Sequence, residues 1–205
     1  VLLLEQEGIP GAHASGKNAA MALQVTGSVD ETRLAVEGRN FIASPPDGFC
    51  ERSLYRQTGS LVVAAHAHEL DKMYDVGCRL GLDVLSLNGP GLARVVSVLE
   101  GCGLERGLHN LTDGVVDVHG LLQSYLRGQA VWTDTAATRI GVERGGVRFV
   151  DTTRGRVHTP WVVNAAGHWA SQIGILAGAL PIELVPRRRH LFVGTTTIPV
   201  SGEWP

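Results

Sequence analysis

The sequence predicts an α/β chain, α+β overall, and three observations carry that expectation. The opening "VLLLE", residues 1–5, is a short apolar run closed by an acid, which suits a buried strand. Far downstream, "PWVVNAAGHWASQIG", residues 160–174, is a second apolar run that leaves through Asn-Ala-Ala-Gly directly into a helical pattern. Between the two, segments of helical and of strand character follow one another. Small residues at a strand exit let a backbone, or something flat and charged, approach closely. In α/β proteins the crevice at the carboxyl ends of the strands is where nucleotides bind. Tight strand–helix packing uses the same residues, so the motif alone leaves both uses open.

The elements follow in order. The strand at 1–5 runs into the turn-rich "EGIPGAHASG". Residues 17–26 and 30–43 have helical character, the second ending before Ser44-Pro45-Pro46, which cannot continue a helix. Residues 60–65 read as a strand and 67–80 as a helix stopped by Gly81. A short helix is expected over 92–99 and a strand over 107–110. Residues 117–129 form a helix whose apolar stripe is Val118, Leu121, Leu122, Tyr125 and Leu126. Three strands, 139–143, 147–151 and 157–164, come next, the first two joined by the hairpin turn "ERGG". A helix over 169–179 and a strand over 191–194 precede a polar tail.

Composition narrows the function classes. At 205 residues the chain suffices for one large domain or two small ones. A net charge of -2 points to neither nucleic acid nor an anionic membrane. No apolar run approaches the roughly 18 residues of a membrane span, and the start lacks the basic region of a signal peptide. Cys50, Cys78 and Cys102 are odd in number and widely spaced, which reads as reduced thiols in a cytoplasmic protein. Of the eight histidines only His66 and His68 sit close together, a weak signal, and no metal is expected.

Two segments bear on ligand chemistry. In a dinucleotide-binding βαβ unit an acid at the end of the second strand takes the ribose hydroxyls. Glu5 fits that place, although a solvated strand end looks the same, and no GxGxxG occurs in the chain. "PGAHASGKNAAM", residues 10–21, then puts small residues, a hydroxyl and Lys17 at the expected mouth of a helix. Backbone N–H groups and the helix dipole there would hold a pyrophosphate.

The order of "VLLLE", "ASGKNAA" and "VVNAAGHWA" resembles the flavin-dependent amino-acid oxidoreductases of the D-amino-acid oxidase superfamily, nearest the D-arginine dehydrogenase and glycine oxidase branch. The likeness extends through "NFIASPPDGFCE", "LLQSYLRG" and "LPIELVPRRRHLFV", collinear over nearly the whole chain. It implies a Rossmann-like FAD-binding domain, residues 1–28 and 111–178, interleaved with an antiparallel-sheet substrate domain, residues 29–110 and 179–205. Carried over, Glu5 would bind the adenosine ribose, and Ser15, Gly16 and Lys17 would lie along the pyrophosphate and flavin. Asn18, Ala19, Ala20 and Met21 would pass beside the isoalloxazine, and Ala137 would offer a backbone contact to the adenine. Ala165, Ala166 and Gly167 would pack against the cofactor, with Trp169 packing helix on sheet. Of the triplet at 187–189, Arg189 would face the substrate carboxylate, with Arg188 second, because a guanidinium fork pairs bidentately with a carboxylate.

The resemblance implies oxidation of the Cα–N bond of a small amino acid, a D-amino acid or glycine, to the imine and then the 2-oxo acid. The competing readings are a 2-hydroxy-acid dehydrogenase of the same superfamily and a non-catalytic remnant that binds no flavin. No catalytic residue is assigned, and the electron acceptor stays open. The chain departs from the family pattern in lacking the front glycine fingerprint and the C-terminal half, and in a short stretch between "YLRG" and "VWTD"; it is expected to be an internal fragment, incomplete at both ends. Ser60 and Thr26 replace an acid and an aromatic gate of the D-arginine branch, so the substrate stays at the level of an amino acid.

Overall fold

The computed structural model describes residues 1–187 and 190–205. In chain order they form β1 (Leu2–Leu4), β2 (Met21–Ala22), α1 (Val29–Ala43), β3 (Tyr55–Gln57), β4 (Ser60–Ala64), α2 (Asp71–Arg79), β5 (Val84–Asn88) and α3 (Gly89–Val95). Then come β6 (Arg106–Asn110), β7 (Gly114–Val116), α4 (Val118–Leu126), β8 (Ala130–Trp132), β9 (Ala137–Glu143), β10 (Gly146–Thr152), β11 (Gly155–His158) and α5 (Ala170–Leu176). Single 3-10 turns span Ala67–Leu70, Ser97–Leu99 and Gly167–Trp169. The chain divides into two compact units, Val1–Ala14 with Leu126–Phe192, and Ser15–Tyr125 with Val193–Pro205.

In the first unit β1 pairs in parallel with β8, Leu2 opposite Ala130 and Leu4 opposite Trp132. A separate antiparallel sheet has the order β11-β10-β9. Its β9–β10 turn takes positive φ at Arg144 (50°) and Gly145 (76°), as a two-residue hairpin of the right twist requires. Phe149 lies across from Gly141, where any added Cβ would overlap its ring. The guanidiniums of Arg139 and Arg156 sit 5.4 and 3.7 Å from the Phe149 ring centre.

The second unit holds two more sheets, β2-β7-β3 and β4-β6-β5, both antiparallel. Leu108 of the central β6 packs with Ala64 and Leu70, and Val62, Met73, Tyr74 and Val84 close around them. Each fully buried Leu or Val contributes roughly 1.5–3 kcal/mol. Leu92 of α3 is wholly buried against β6, and Gly107 is the residue that makes room for it, since a Cβ there would collide with the Leu92 side chain. α1 begins as its sequence dictates: Ser28 caps it by accepting from Glu31 N, and Asp30 and Glu31 face the positive end of the dipole. Phe41, Phe49 and Tyr125 form one aromatic cluster with ring centres 5.0–6.2 Å apart.

Three sequence expectations are corrected. Residues 17–26 are not helical. The Asn18 side chain accepts from Ala20 N and donates to Ser15 O, a local turn that competes with helix formation. Ala20 then takes φ 56°, and Met21 and Ala22 pair with β7. The strand expected over 157–164 stops at His158. Pro160 has no N–H to donate, and Trp161–Asn164 meet no partner strand among the described residues, leaving Trp161 83% and Val163 90% exposed. Residues 191–194 likewise carry no ladder there. A strand needs a neighbour as well as a pattern. The helix expected over 169–179 is present but shorter, a 3-10 turn leading into α5.

Candidate functional site

β1 delivers Glu5 to the edge of the first unit. Its backbone stays in register, Glu5 N donating to Trp132 O at 2.9 Å and Glu5 O accepting from Thr135 N at 2.9 Å. The half-buried carboxylate accepts from Glu7 N at 2.9 Å through Oε1. Oε2 has no partner among the described residues, so it is free to accept from an external hydroxyl. Asp134 N donates to Glu7 O at 3.0 Å, which fastens the loop after β1 to the turn after β8. Ala137, two residues beyond Thr135, opens β9 opposite Thr152.

The small residues of the same unit make a narrow turn. Asn164 orders it: its side chain accepts from Ala166 N at 3.3 Å and donates to Ala170 O at 2.8 Å. Ala165 and Gly167 are exposed, and Gly167 adopts φ 56° with no heavy atom within 4 Å of where its Cβ would stand. A side chain here would occupy open space beside the backbone. The turn is open and exposed, and Glu5 keeps one carboxylate oxygen without a protein partner among the described residues.

In the second unit, Ser15, Gly16, Lys17, Asn18 and Ala19 are exposed in an irregular, turn-rich stretch, and Ala20 leads into β2, which Met21 opens. Without a helix at this place the dipole contribution expected from the sequence is absent. What remains for an anion is the Lys17 charge, the Ser15 hydroxyl and backbone N–H groups of a turn. Arg188 and Arg189, expected to face the substrate, lie outside the described residues.

The two residues that stand in place of the D-arginine branch's acid and aromatic gate, Ser60 and Thr26, make internal hydrogen bonds. Ser60 is 2% exposed and donates to Asp113 Oδ2 at 2.6 Å. Thr26 donates to Ser28 O and its N–H reaches Thr32 Oγ1, so it braces the start of α1. Sequence reasoning missed Asp113 altogether. This buried acid also accepts from Gln24 N, Gln24 Nε2 and Asn110 Nδ2, all at 2.9–3.0 Å, while its carbonyl accepts from Thr58 N and Gly59 N. Nothing in the local sequence announces a hub whose partners Ser60 and Gln24 lie 53 and 89 residues away.

The family model described as "FAD dependent oxidoreductase" (DAO) matches residues 1–202. Human mitochondrial sarcosine dehydrogenase is 29% identical over 161 residues, covering 69% of this chain and 17% of that protein. Among solved structures, L-proline dehydrogenase from P. horikoshii superposes with a TM-score of 0.75 at 18% identity, covering 87% of this chain and 49% of that one. Glycine oxidase from Geobacillus kaustophilus gives 0.73 at 22%, covering 87% and 51%. The chain thus spans about half the length of these solved structures and about a sixth of the curated relative.

Proposed function

Because the chain belongs to the DAO family of FAD-dependent oxidoreductases, we propose that it forms part of an enzyme oxidising the Cα–N bond of a small amino acid, a D-amino acid or glycine. The product is an imine that hydrolyses to the 2-oxo acid and ammonia. The observation that supports this reading is the coincidence, in one unit, of Glu5 at the exit of β1 and the bare Ala165–Ala166–Gly167 turn. Glu5 accepts from the adenosine ribose hydroxyls, and Ala137 meets the adenine through its backbone. Ala165, Ala166 and Gly167 leave space for the dinucleotide. Ser15, Gly16 and Lys17 line the pyrophosphate, and Asn18 to Met21 run beside the ring. FAD supplies the hydride acceptor.

Arg189 holds the substrate carboxylate through its planar fork, with Arg188 the second choice, and so orients the Cα–H bond. In this reading residues 1–28 and 111–178 serve the cofactor, and 29–110 and 179–205 the substrate. The free thiols of Cys50, Cys78 and Cys102 fit a reducing, cytoplasmic setting. No described helix is long and apolar enough to cross a membrane.

The test is a substrate survey on the complete gene product. Purified protein should carry flavin, and anaerobic addition of glycine or a D-amino acid should bleach its absorbance with stoichiometric release of a 2-oxo acid. Bleaching by 2-hydroxy acids alone would move the assignment to the dehydrogenase reading. A colourless, folded product that takes up no added FAD would overturn it.

A further inference from the structure

The β11-β10-β9 sheet of the first unit turns toward solvent a face that has no place in the proposed chemistry. Its stretch of sequence, residues 137–159, carries five arginines against two acids, in a chain whose net charge is -2. Ile140 and Val150 are buried on one side of the sheet, so strand alternation sends Arg139, Phe149 and Asp151 to the other. Register sets Phe149 between Gly141 and His158, and Asp151 between Arg139 and Arg156.

The charges on this sheet are committed to different degrees. The Phe149 ring lies along the sheet over Gly141, where a Cβ would meet it. Arg156 stacks 3.7 Å from the ring centre and holds Asp151 through hydrogen bonds of 2.6 and 3.0 Å. Arg139 stands 5.4 Å from the same ring centre, and its guanidinium makes no hydrogen bond or ion pair among the described residues. The exposed side chains of Arg144 and Arg148 make none either. Three guanidiniums on one small sheet therefore stay open to a carboxylate, beside a half-buried aromatic ring. Arginine and aromatic side chains grouped in this way are where protein interfaces concentrate their binding energy.

We propose that this face docks a separate protein that presents carboxylates around an apolar side chain. The open fork of Arg139 pairs bidentately with a carboxylate, and the exposed part of Phe149 receives the apolar group. Charge and shape select this occupant over others. Two copies of the face cannot pair about a twofold axis, because that symmetry sets each group of arginines against its own copy. A single-stranded nucleic acid needs a bare ring to stack on, and Arg156 already covers Phe149. Glu143 and Asp151 also interrupt the row of cations that a phosphate backbone would follow. A bilayer takes apolar side chains that protrude, and Phe149 lies along the sheet instead. None of these arginines is assigned to cofactor or substrate, so the docking role is independent of both.

The experiment follows fluorescence anisotropy of a labelled synthetic peptide, glutamates flanking a central Leu-Leu pair, titrated with the complete gene product. The peptide should bind, more weakly as salt is raised. Arg139→Glu should weaken it roughly tenfold or more, and Arg139→Lys should recover only part because the fork is lost. A companion peptide with lysines for glutamates should bind Arg139→Glu better than the parent, a gain that a folding defect does not produce. Arg79→Glu, exposed on α2 in the other unit, changes the net charge equally and should leave the affinity within about twofold. Flavin content and amino-acid oxidation should be unchanged in Arg139→Glu, which separates a failure of the docking surface from a failure of the proposed activity. Absence of peptide binding at low salt would overturn the proposal, as would equal losses from Arg139→Glu and Arg79→Glu. Tighter binding of duplex DNA or phosphatidylserine vesicles, abolished by Arg139→Glu, would also overturn it and assign the face to a polyanion. Should Arg139→Glu not fold, Arg139→Gln replaces it, with weakening of roughly threefold expected and none overturning the docking role.

Discussion

Asp113 shows how much one side chain can organise. Four donors converge on its carboxylate, Ser60, Asn110 and two from Gln24, and the group is 2% exposed. Replacing it with alanine strands those donors in a place water does not reach, each worth roughly 1–3 kcal/mol when left unpaired. Asp113→Ala should therefore cost about 3 kcal/mol or more, read as a lower urea midpoint with an unchanged slope. Asp113→Asn, which keeps one acceptor, should cost less. The same network explains why Ser60 is a poor place to seek substrate specificity: its hydroxyl is already committed. His109 lies on the same β6 strand as Asn110, and partial burial pulls its pKa below the usual histidine range, so its ring stays neutral further into the acid.

At the scale of elements, the β9–β10–β11 sheet offers two checks. Arg144 occupies a left-handed position that a long L side chain tolerates at a cost of about 1 kcal/mol. Arg144→Asn would supply the residue that type I′ turns favour before glycine, and should raise the melting temperature by a few degrees. The second check is electrostatic. Asp151 accepts two hydrogen bonds from Arg156, at 2.6 and 3.0 Å, and these hold its pKa below the ordinary carboxylate value of 3.8. A carboxylate depressed on folding contributes stability that is present above the unfolded pKa and lost as pH falls through the folded one. The Asp151–Arg156 contribution is accordingly complete at neutral pH and disappears only below about pH 4. Carboxyl chemical shifts should show the Asp151 midpoint under 3.8, and Arg156→Ala should return it to the usual range.

For the whole molecule, the division into two units, each assembled from separate stretches of chain, is the organising fact. The first unit brings together Glu5, from the beginning, and Gly167, more than 160 residues later. The substrate side of the proposal rests on Arg189. In steady-state kinetics of the complete enzyme, Arg189→Ala should lower kcat/KM at least tenfold. A charged partner of a carboxylate in a partly desolvated pocket costs on the order of 2–5 kcal/mol to remove. Arg189→Lys should recover only part, having lost the fork, and Arg188→Ala should do less than Arg189→Ala. Equal and small effects at both positions would mark the triplet as a solvated turn.

The sequence by itself determined those features whose causes lie within a few residues. α1 is bounded by the Ser28 cap and Ser44-Pro45-Pro46, α2 stops where Gly81 takes φ 68°, and "ERGG" closes the β9–β10 hairpin. Caps, prolines and left-handed glycines act locally, so they can be read locally. The collinear order of short motifs likewise pointed to the family without any coordinates. Tertiary structure alone decided the rest. The two-residue β2 replaces an expected helix because Asn18 forms its own turn and β7, almost a hundred residues on, offers a partner. The three- and five-residue strands β3, β5, β7 and β8 have too little pattern to stand out and exist by virtue of their neighbours. The run after Pro160 has the composition of a strand and no described strand beside it. Asp113 and His13 have ordinary surroundings in sequence and acquire their contacts with Gln24 and Trp169 only when distant segments meet. A ladder or a buried hydrogen bond is a property of two segments, and one segment read alone cannot contain it.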